Sequence, residues 1–319
     1  MNAPDWLSSI ELITFDCFGT LVDWRAAFDK VDIRSKEDFE QFEAEASRLQ
    51  EQDQYLRYVD VLKTAIAKVR PQLRPAIIGL FADDCGRMAP FADTARALQT
   101  IKDAVKLGVL ANSDAAHQLD VMASLRMAWD VVITSQELRA YKPTDRAWDA
   151  ILRMGVARAA VTRDAWMHVS ASGRTDLVPA RARGLKTCLI KRPGADERTT
   201  CDLQVGSLDE LAALVQAAKQ GPLLLEIETP CPDAYQLDSL RQWLLGTRLG
   251  EMRAIAGVRS ATLVQREDGI FVEQYVFGGQ HDVENYNASF AAEHRASFRD
   301  QFGYGITRTQ RVSRIAGKA

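Results

Sequence analysis

Five short apolar runs punctuate the N-terminal two thirds of the chain, at residues 12–15, 107–111, 131–134, 167–170 and 187–190. Each is too short for an ordinary helix, and a continuous apolar run of this size reads as a strand buried on both faces. Longer amphipathic stretches separate them. That alternation predicts a doubly wound α/β core over about residues 10–205, a parallel sheet with crossover helices on both faces. Such sheets bind ligands in the crevice beyond the carboxyl ends of their strands. Chemistry is therefore to be sought in the residues that follow each run.

The first two runs are far apart, and residues 25–88 between them carry a helical pattern. Ser35-Lys36-Glu37-Asp38 is a helix start, and Tyr55, Tyr58, Val59, Leu62 and Ile66 recur at helical spacing. Coming directly after the first strand, this insertion is expected to cap the crevice, although the periodicity fits a plain helical subdomain equally well. A chain of 319 residues exceeds what one core usually fills, so a second domain is expected. Gln220-Gly221-Pro222 marks a linker, which puts the core and its cap at 1–218 and a further domain at 222–319. The latter reads β-α-β-β-α-β, with Asp268-Gly269 as a hairpin turn, and predicts a ferredoxin-like α+β unit. Leu224, Ile227, Leu263, Val272, Tyr275 and Val312 supply apolar side chains to its sheet. An uncovered apolar sheet face marks an interface, so a homodimer through this domain, or packing on the core, is expected.

A net charge of −3 gives no reason to expect a nucleic acid or an anionic membrane as partner. No apolar run reaches the length of a membrane span. The five cysteines are odd in number and contain no Cys-x-x-Cys pair, which reads as reduced thiols in a cytoplasmic protein. No zinc spacing exists, and His117 and His168 read as a helix-surface and a strand residue.

The first run leads into Asp16-Cys17-Phe18-Gly19-Thr20. Asp16 is a candidate nucleophile, Gly19 permits a sharp turn, and the Thr20 hydroxyl can brace it. The second run leads into Asn112-Ser113-Asp114, the third through a spacer to Tyr141-Lys142-Pro143, and the fourth to Ser172-Gly173-Arg174-Thr175-Asp176. A lysine held over the strand ends would keep Asp16 ionised and counter charge developing during reaction. Taken singly, Asn112 also reads as a turn residue, Lys142 as a surface lysine and Asp176 as a helix N-cap.

In this order the motifs resemble those of the haloacid dehalogenase superfamily, whose first motif is an apolar strand followed by Asp-x-x-Gly-Thr. Phe-Asp-Cys-Phe-Gly-Thr-Leu-Val-Asp-Trp and His168-Val169-Ser170-Ala171-Ser172 are most similar to the type II 2-haloacid dehalogenase branch. The resemblance implies that Asp16 is the nucleophile, Lys142 its cation, and Ser172 with Asp176 the pair that positions and deprotonates the hydrolytic water. It implies substrate contacts from Phe18, Thr20 and Asn112, the last cradling the leaving halide. Ala111 stands where the branch has a carboxylate-binding serine, and whether Ser113 substitutes for it depends on the turn. The branch also uses a cap arginine; Arg48 and Arg57 lie in the insertion without an alignable pattern.

Two departures separate this chain from the superfamily's phosphatases. Phosphoryl transfer uses magnesium and a second acid two residues after the nucleophile. Phe18 occupies that second position, and Ala171 replaces an acid of the metal site. Displacement of halide needs neither, so the resemblance implies a hydrolase that uses no metal or cofactor and acts on a small-molecule substrate, by default a 2-haloacid. Two alternatives are another electrophile, such as a strained ring, another organohalide or a phosphate ester, and a weakly catalytic scaffold whose C-terminal domain binds a ligand or partner.

Overall fold

The computed structural model describes residues 3–231 and 234–315. They divide into two compact units, one spanning Ser9–Ala212 and the other formed by the chain from Ala213 onward together with the residues up to Ser8.

The first unit is built on six parallel strands, β1 (Leu12–Phe15), β2 (Lys106–Ala111), β3 (Val131–Thr134), β4 (Trp166–Ser170), β5 (Lys186–Ile190) and β6 (Leu203–Val205). Five coincide with the apolar runs to within a residue. The sixth is a three-residue edge strand with only two apolar side chains, too little to register as a run. The sheet order β3-β2-β1-β4-β5-β6 reverses direction at β1. The ligand crevice therefore opens at the carboxyl end of β1. Behind it, Trp148, Ile151 and Trp166 are buried in one apolar cluster. Gly155 lets the helix Asp145–Ala159 approach closely, since a Cβ there would lie 2.2 Å from the Trp166 ring.

The insertion folds into the helices Lys36–Gln50, Tyr58–Val69 and Pro75–Asp83. Ser35 starts the first through a capping box: its hydroxyl accepts from Asp38 N–H at 3.1 Å, and its own N–H donates to Asp38 Oδ2 at 3.2 Å. Val59, Leu62 and Ile66 form the buried stripe of the second, whereas Tyr55 precedes that helix. Phe28 ties these helices together, with ring centroids 4.7 Å from Phe42 and 4.8 Å from Phe81. His117 corrects its sequence reading. It is buried rather than on a helix surface, because the insertion packs over it and sets Tyr58 edge-on to its ring.

The second unit contains β7 (Leu223–Thr229), β8 (Val258–Gln265), β9 (Phe271–Phe277) and β10 (Thr309–Arg314), antiparallel in the order β10-β7-β9-β8. It is an α+β unit. Helical segments run from Ala234 to Arg253 and from Gln280 to Phe302, the latter interrupted at Phe290; residues 232 and 233 of the expected first helix lie outside the described residues. The expectation of an open apolar face needs correction. Strand β7 alternates, so Leu223, Leu225 and Ile227 pack with Met252 and Tyr286 under the helices. The opposite face sets Glu226 beside Gln274 and Glu228 beside Val272, so it is mixed in character. An ion network also lies within this unit's core: Arg308 bonds Glu273, Tyr275 Oη donates to Glu273 Oε1 at 2.5 Å, and Arg248 Nε lies 3.5 Å from the same carboxylate.

Candidate active site

Asp16 follows β1 directly, at the point where the strand order reverses. Gly19 makes the next turn at φ +92°, a conformation that suits glycine, and a Cβ there would meet Trp24 Nε1 at 2.9 Å. The turn brings Thr20 back on the carboxylate. Its hydroxyl donates to Asp16 Oδ2 at 3.0 Å while accepting from Ala171 N–H at 3.1 Å.

Lys142 reaches the same carboxylate from the loop after β3, with Nζ 3.1 Å from Asp16 Oδ1, 2.5 Å from Asp176 Oδ1 and 2.5 Å from the Leu110 carbonyl. Only 2% of its side chain is exposed. The Lys142–Pro143 peptide is cis, and the following helix begins at Asp145 with Thr144 as its cap. Asn112 clasps the lysine backbone: Oδ1 accepts from Lys142 N–H at 2.9 Å and Nδ2 donates to Lys142 O at 2.8 Å. The amide also reaches Gln50 of the insertion at 3.4 Å. Asn112 thus positions Lys142.

Asp176 sits in a wide helical turn after β4 and is fully engaged. It bonds Lys142, lies 2.9 Å from His168 Nε2, and accepts from Thr175 Oγ1 at 2.5 Å. Ser172 Oγ is 2.6 Å from the same Thr175 hydroxyl, giving a continuous path from Ser172 to Asp176. Behind it, His168 Nδ1 meets Thr14 Oγ1 at 2.9 Å, and Thr14 accepts from Trp166 Nε1 at 2.8 Å. In neutral His168 the proton then resides on Nε2 and is donated to Asp176.

Two carboxylates share one ammonium, and their titrations separate. Burial raises the Asp16 pKa, the nearby Asp176 charge adds to this, and Lys142 and Thr20 only partly offset it. Burial works against the Asp176 carboxylate too, but Lys142 and His168 outweigh it and hold its pKa below the ordinary range. Burial likewise disfavours the Lys142 ammonium, and the two carboxylates more than compensate, raising its pKa. Cys17, beside the nucleophile, is pushed up to about 12 chiefly by burial, so it remains a thiol.

Asp16, Phe18, Asn112, Lys142 and Ser172 line one cavity of about 420 Å³, covered by Phe42, Glu43, Ala46, Ser47, Gln50 and Tyr58 of the insertion. Thr20 and Asp176 lie buried behind its wall. Ser113 does not join them. It is fully buried, its hydroxyl accepts from Gln118 at 3.1 Å, and so it cannot replace the serine missing at Ala111. Arg48 turns to Glu45 and Arg57 to Asp114, and neither lines the cavity. The cavity's other cations are Arg25, outside the motifs, and Arg174, inside the fourth motif but given no role there. Arg25 stacks on Trp24 and Phe39 at 5.0 and 4.8 Å and pairs with Glu43, whose pKa burial raises against that pairing. Arg174 bonds Glu51 and Ser47. Among the described residues, no group of three or more His, Cys, Asp or Glu side chains is arranged to hold a metal ion, and no helix is long and apolar enough to cross a membrane.

No protein-family model matches the chain, and no curated protein does. Solved structures do match. An L-2-haloacid dehalogenase is 24% identical at a TM-score of 0.54, over 64% of this chain and 98% of that one. A defluorinating L-2-haloacid dehalogenase is 22% identical at 0.54, over 68% and 99%. The L-2-haloacid dehalogenase from Xanthobacter autotrophicus with chloropropionic acid covalently bound is 18% identical at 0.56, over 65% and 98%. The N-terminal part of the chain therefore has the fold of the L-2-haloacid dehalogenases.

Proposed function

We propose that the N-terminal unit is a hydrolase that displaces a leaving group, by default halide, from the α-carbon of a small carboxylate through an ester on Asp16. The observation that carries this is the Asp16 carboxylate, braced by Thr20 and Lys142 and lining a cavity, with Phe18 where a phosphatase needs an acid. An enzyme of the same fold with chloropropionic acid covalently bound supports a covalent step.

In this reading Asp16 Oδ attacks the α-carbon, the C–O bond forms as the carbon–halogen bond breaks, and halide departs with the electron pair. Beside Lys142, Arg25 and Arg174 line the cavity, and binding the substrate carboxylate there draws on one of their pairs with Glu43 and Glu51. A water near Ser172 then attacks the Asp16 carbonyl carbon, its proton passing through Ser172 and Thr175 to Asp176, which its lowered pKa keeps ionised. The adduct collapses with cleavage of the bond between the Asp16 carbonyl carbon and the substrate oxygen, the departing alkoxide takes the proton of the Asp16 carboxylic acid so formed, and the proton on Asp176 returns to solvent through Thr175 and Ser172 as the hydroxy acid leaves. Lys142 opposes the rise that burial imposes on the Asp16 pKa before attack and pairs with Asp176 while Asp16 is esterified.

Single turnover in heavy-oxygen water tests the covalent step, since the label enters Asp16 before it reaches product. Label appearing first in product refutes it. Turnover after exhaustive chelation is expected to persist, and a complete loss restored by magnesium would favour a phosphatase. For the C-terminal unit we propose pairing with a second copy through the sheet face turned away from its helices, where Leu224 pairs with Val276 and Val272 with Val264 among polar neighbours; the mass of the full chain in solution, against a truncation at about residue 218, measures it. An odd number of cysteines with no Cys-x-x-Cys pair supports a reducing, cytoplasmic setting.

A further inference from the structure

We infer that the cavity selects 2-haloacids whose α-carbon carries a bulky uncharged substituent, aryl or long alkyl, over the two- and three-carbon acids. This rests on the displacement reading above and adds the substrate class. A volume of about 420 Å³ equals roughly fourteen waters at about 30 Å³ each, and it lies in the range of sites for much larger ligands. A chloropropionate, with six non-hydrogen atoms, leaves most of that space to solvent.

The walls say what fills it. Trp24 and Phe42 form one apolar side, their rings 5.9 Å apart, and Phe18 and Tyr58 a second, 6.2 Å apart. Ala46 lies between Phe42 and Gln50 on the same helix, so a small residue leaves the room open where a larger one would close it. The substituent is uncharged because the lining cations are already paired: Arg25 with Glu43, Arg174 with Glu51, and Lys142 with Asp16. A second anionic group would have to break one of these pairs. An apolar group bound on the aromatic walls would drive water from around Asp16, so that remote binding serves the chemical step.

Calorimetry with the product analogues 3-phenyllactate and lactate reads the cavity without requiring turnover. Halide release from 2-bromo-3-phenylpropionate and 2-bromopropionate, each enantiomer separately, reads the reaction. Phenyllactate is expected to bind at least about tenfold more tightly, and the phenyl substrate to show at least about tenfold higher kcat/KM, the scale of a few buried carbons. Equal or weaker binding of phenyllactate overturns the inference. Preferential phenyllactate binding with no halide released from either substrate upholds the cavity's selectivity and refutes the displacement reading. Ala46→Leu is expected to shrink the phenyllactate-to-lactate ratio to below about threefold. Should that variant not fold, Ser47→Leu on the same wall serves, and an unchanged ratio in a folded variant overturns the assignment.

Discussion

Lys142→Met removes one charge while nearly keeping the side-chain length, and its cost follows from the distances. At an effective dielectric of about 20, contacts of 3.1 and 2.5 Å correspond to gross attractions of roughly 5 and roughly 7 kcal/mol. Dehydrating the ions costs several kcal/mol each, so only part of that attraction is net. Removing the cation nevertheless leaves two carboxylates, 14% and 1% exposed, without their shared partner, and a loss of about 3–5 kcal/mol at pH 7 is expected. The pH dependence gives the sharper check. In the wild type Asp176 has a lowered pKa, so its stabilisation is present above the unfolded value of about 3.9 and is lost as pH falls through its folded pKa. Of the two carboxylates only Asp16 has a raised pKa in the wild type, whereas in the variant both stranded carboxylates do, so the folded variant binds more protons than the folded wild type and recovers more stability as pH falls. The gap in urea midpoint is therefore widest at pH 7–8 and narrows toward pH 5. Lys142→Met combined with Asp176→Asn is expected to regain most of the stability and none of the turnover. A single variant as stable as the wild type at pH 7, or a gap indifferent to pH, would refute the argument.

Thr20→Val removes a hydrogen bond to the nucleophile's carboxylate, about 1.5–3 kcal/mol, and is expected to lower the single-turnover rate by about 10- to 100-fold; an unchanged rate speaks against the bracing role. Gly155→Ala sets a Cβ 2.2 Å from the Trp166 ring, and about 1–3 kcal/mol of overpacking outweighs a helix-propensity gain of about 1 kcal/mol. Its thermal midpoint should fall, and a rise would count against the packing account. In the C-terminal unit, Glu273→Gln leaves Arg248 and Arg308 without their buried carboxylate, and a destabilisation of about 3–5 kcal/mol is expected by urea unfolding. Unfolding of that unit at the wild-type urea concentration would make the network dispensable.

Strands β1 to β5 were legible because burial on both faces writes them as continuous apolar runs. β6 was not, since an edge strand with Leu203 and Val205 alone resembles any loop. Asp16 was legible because a strand end fixes where the next residue emerges, whereas Lys142 and Asp176 lie further along and were legible through the order of the motifs. Ser113 was not, because one residue further on, the turn decides which way the side chain points, and here it points into the core toward Gln118. Arg25 escaped notice because its role arises from the insertion folding back: Phe39 and Glu43 meet it across the structure, and the only local hint is the adjoining Trp24. In the second unit the strand pattern was readable, but a tally of apolar residues did not resolve faces. The two-residue period of β7 assigns Leu225 and Ile227 to the helices and leaves Glu226 on the other side.

Asp114 lies just beyond the asparagine that holds Lys142, and its buried carboxylate accepts the backbone N–H groups of Tyr58 and Val59 at 3.0 and 3.1 Å. A core residue thereby anchors the start of an insertion helix, through bonds to a charged group worth about 1.5–3 kcal/mol each. Elsewhere around the cavity the side-chain pairs Arg174 to Glu51, between core and insertion, and Arg25 to Glu43, within the insertion, retain solvent contact and hold weakly. The insertion is therefore held to the core most firmly at Tyr58 and Val59, and any loosening of its grip on the cavity is expected at the arginine pairs first.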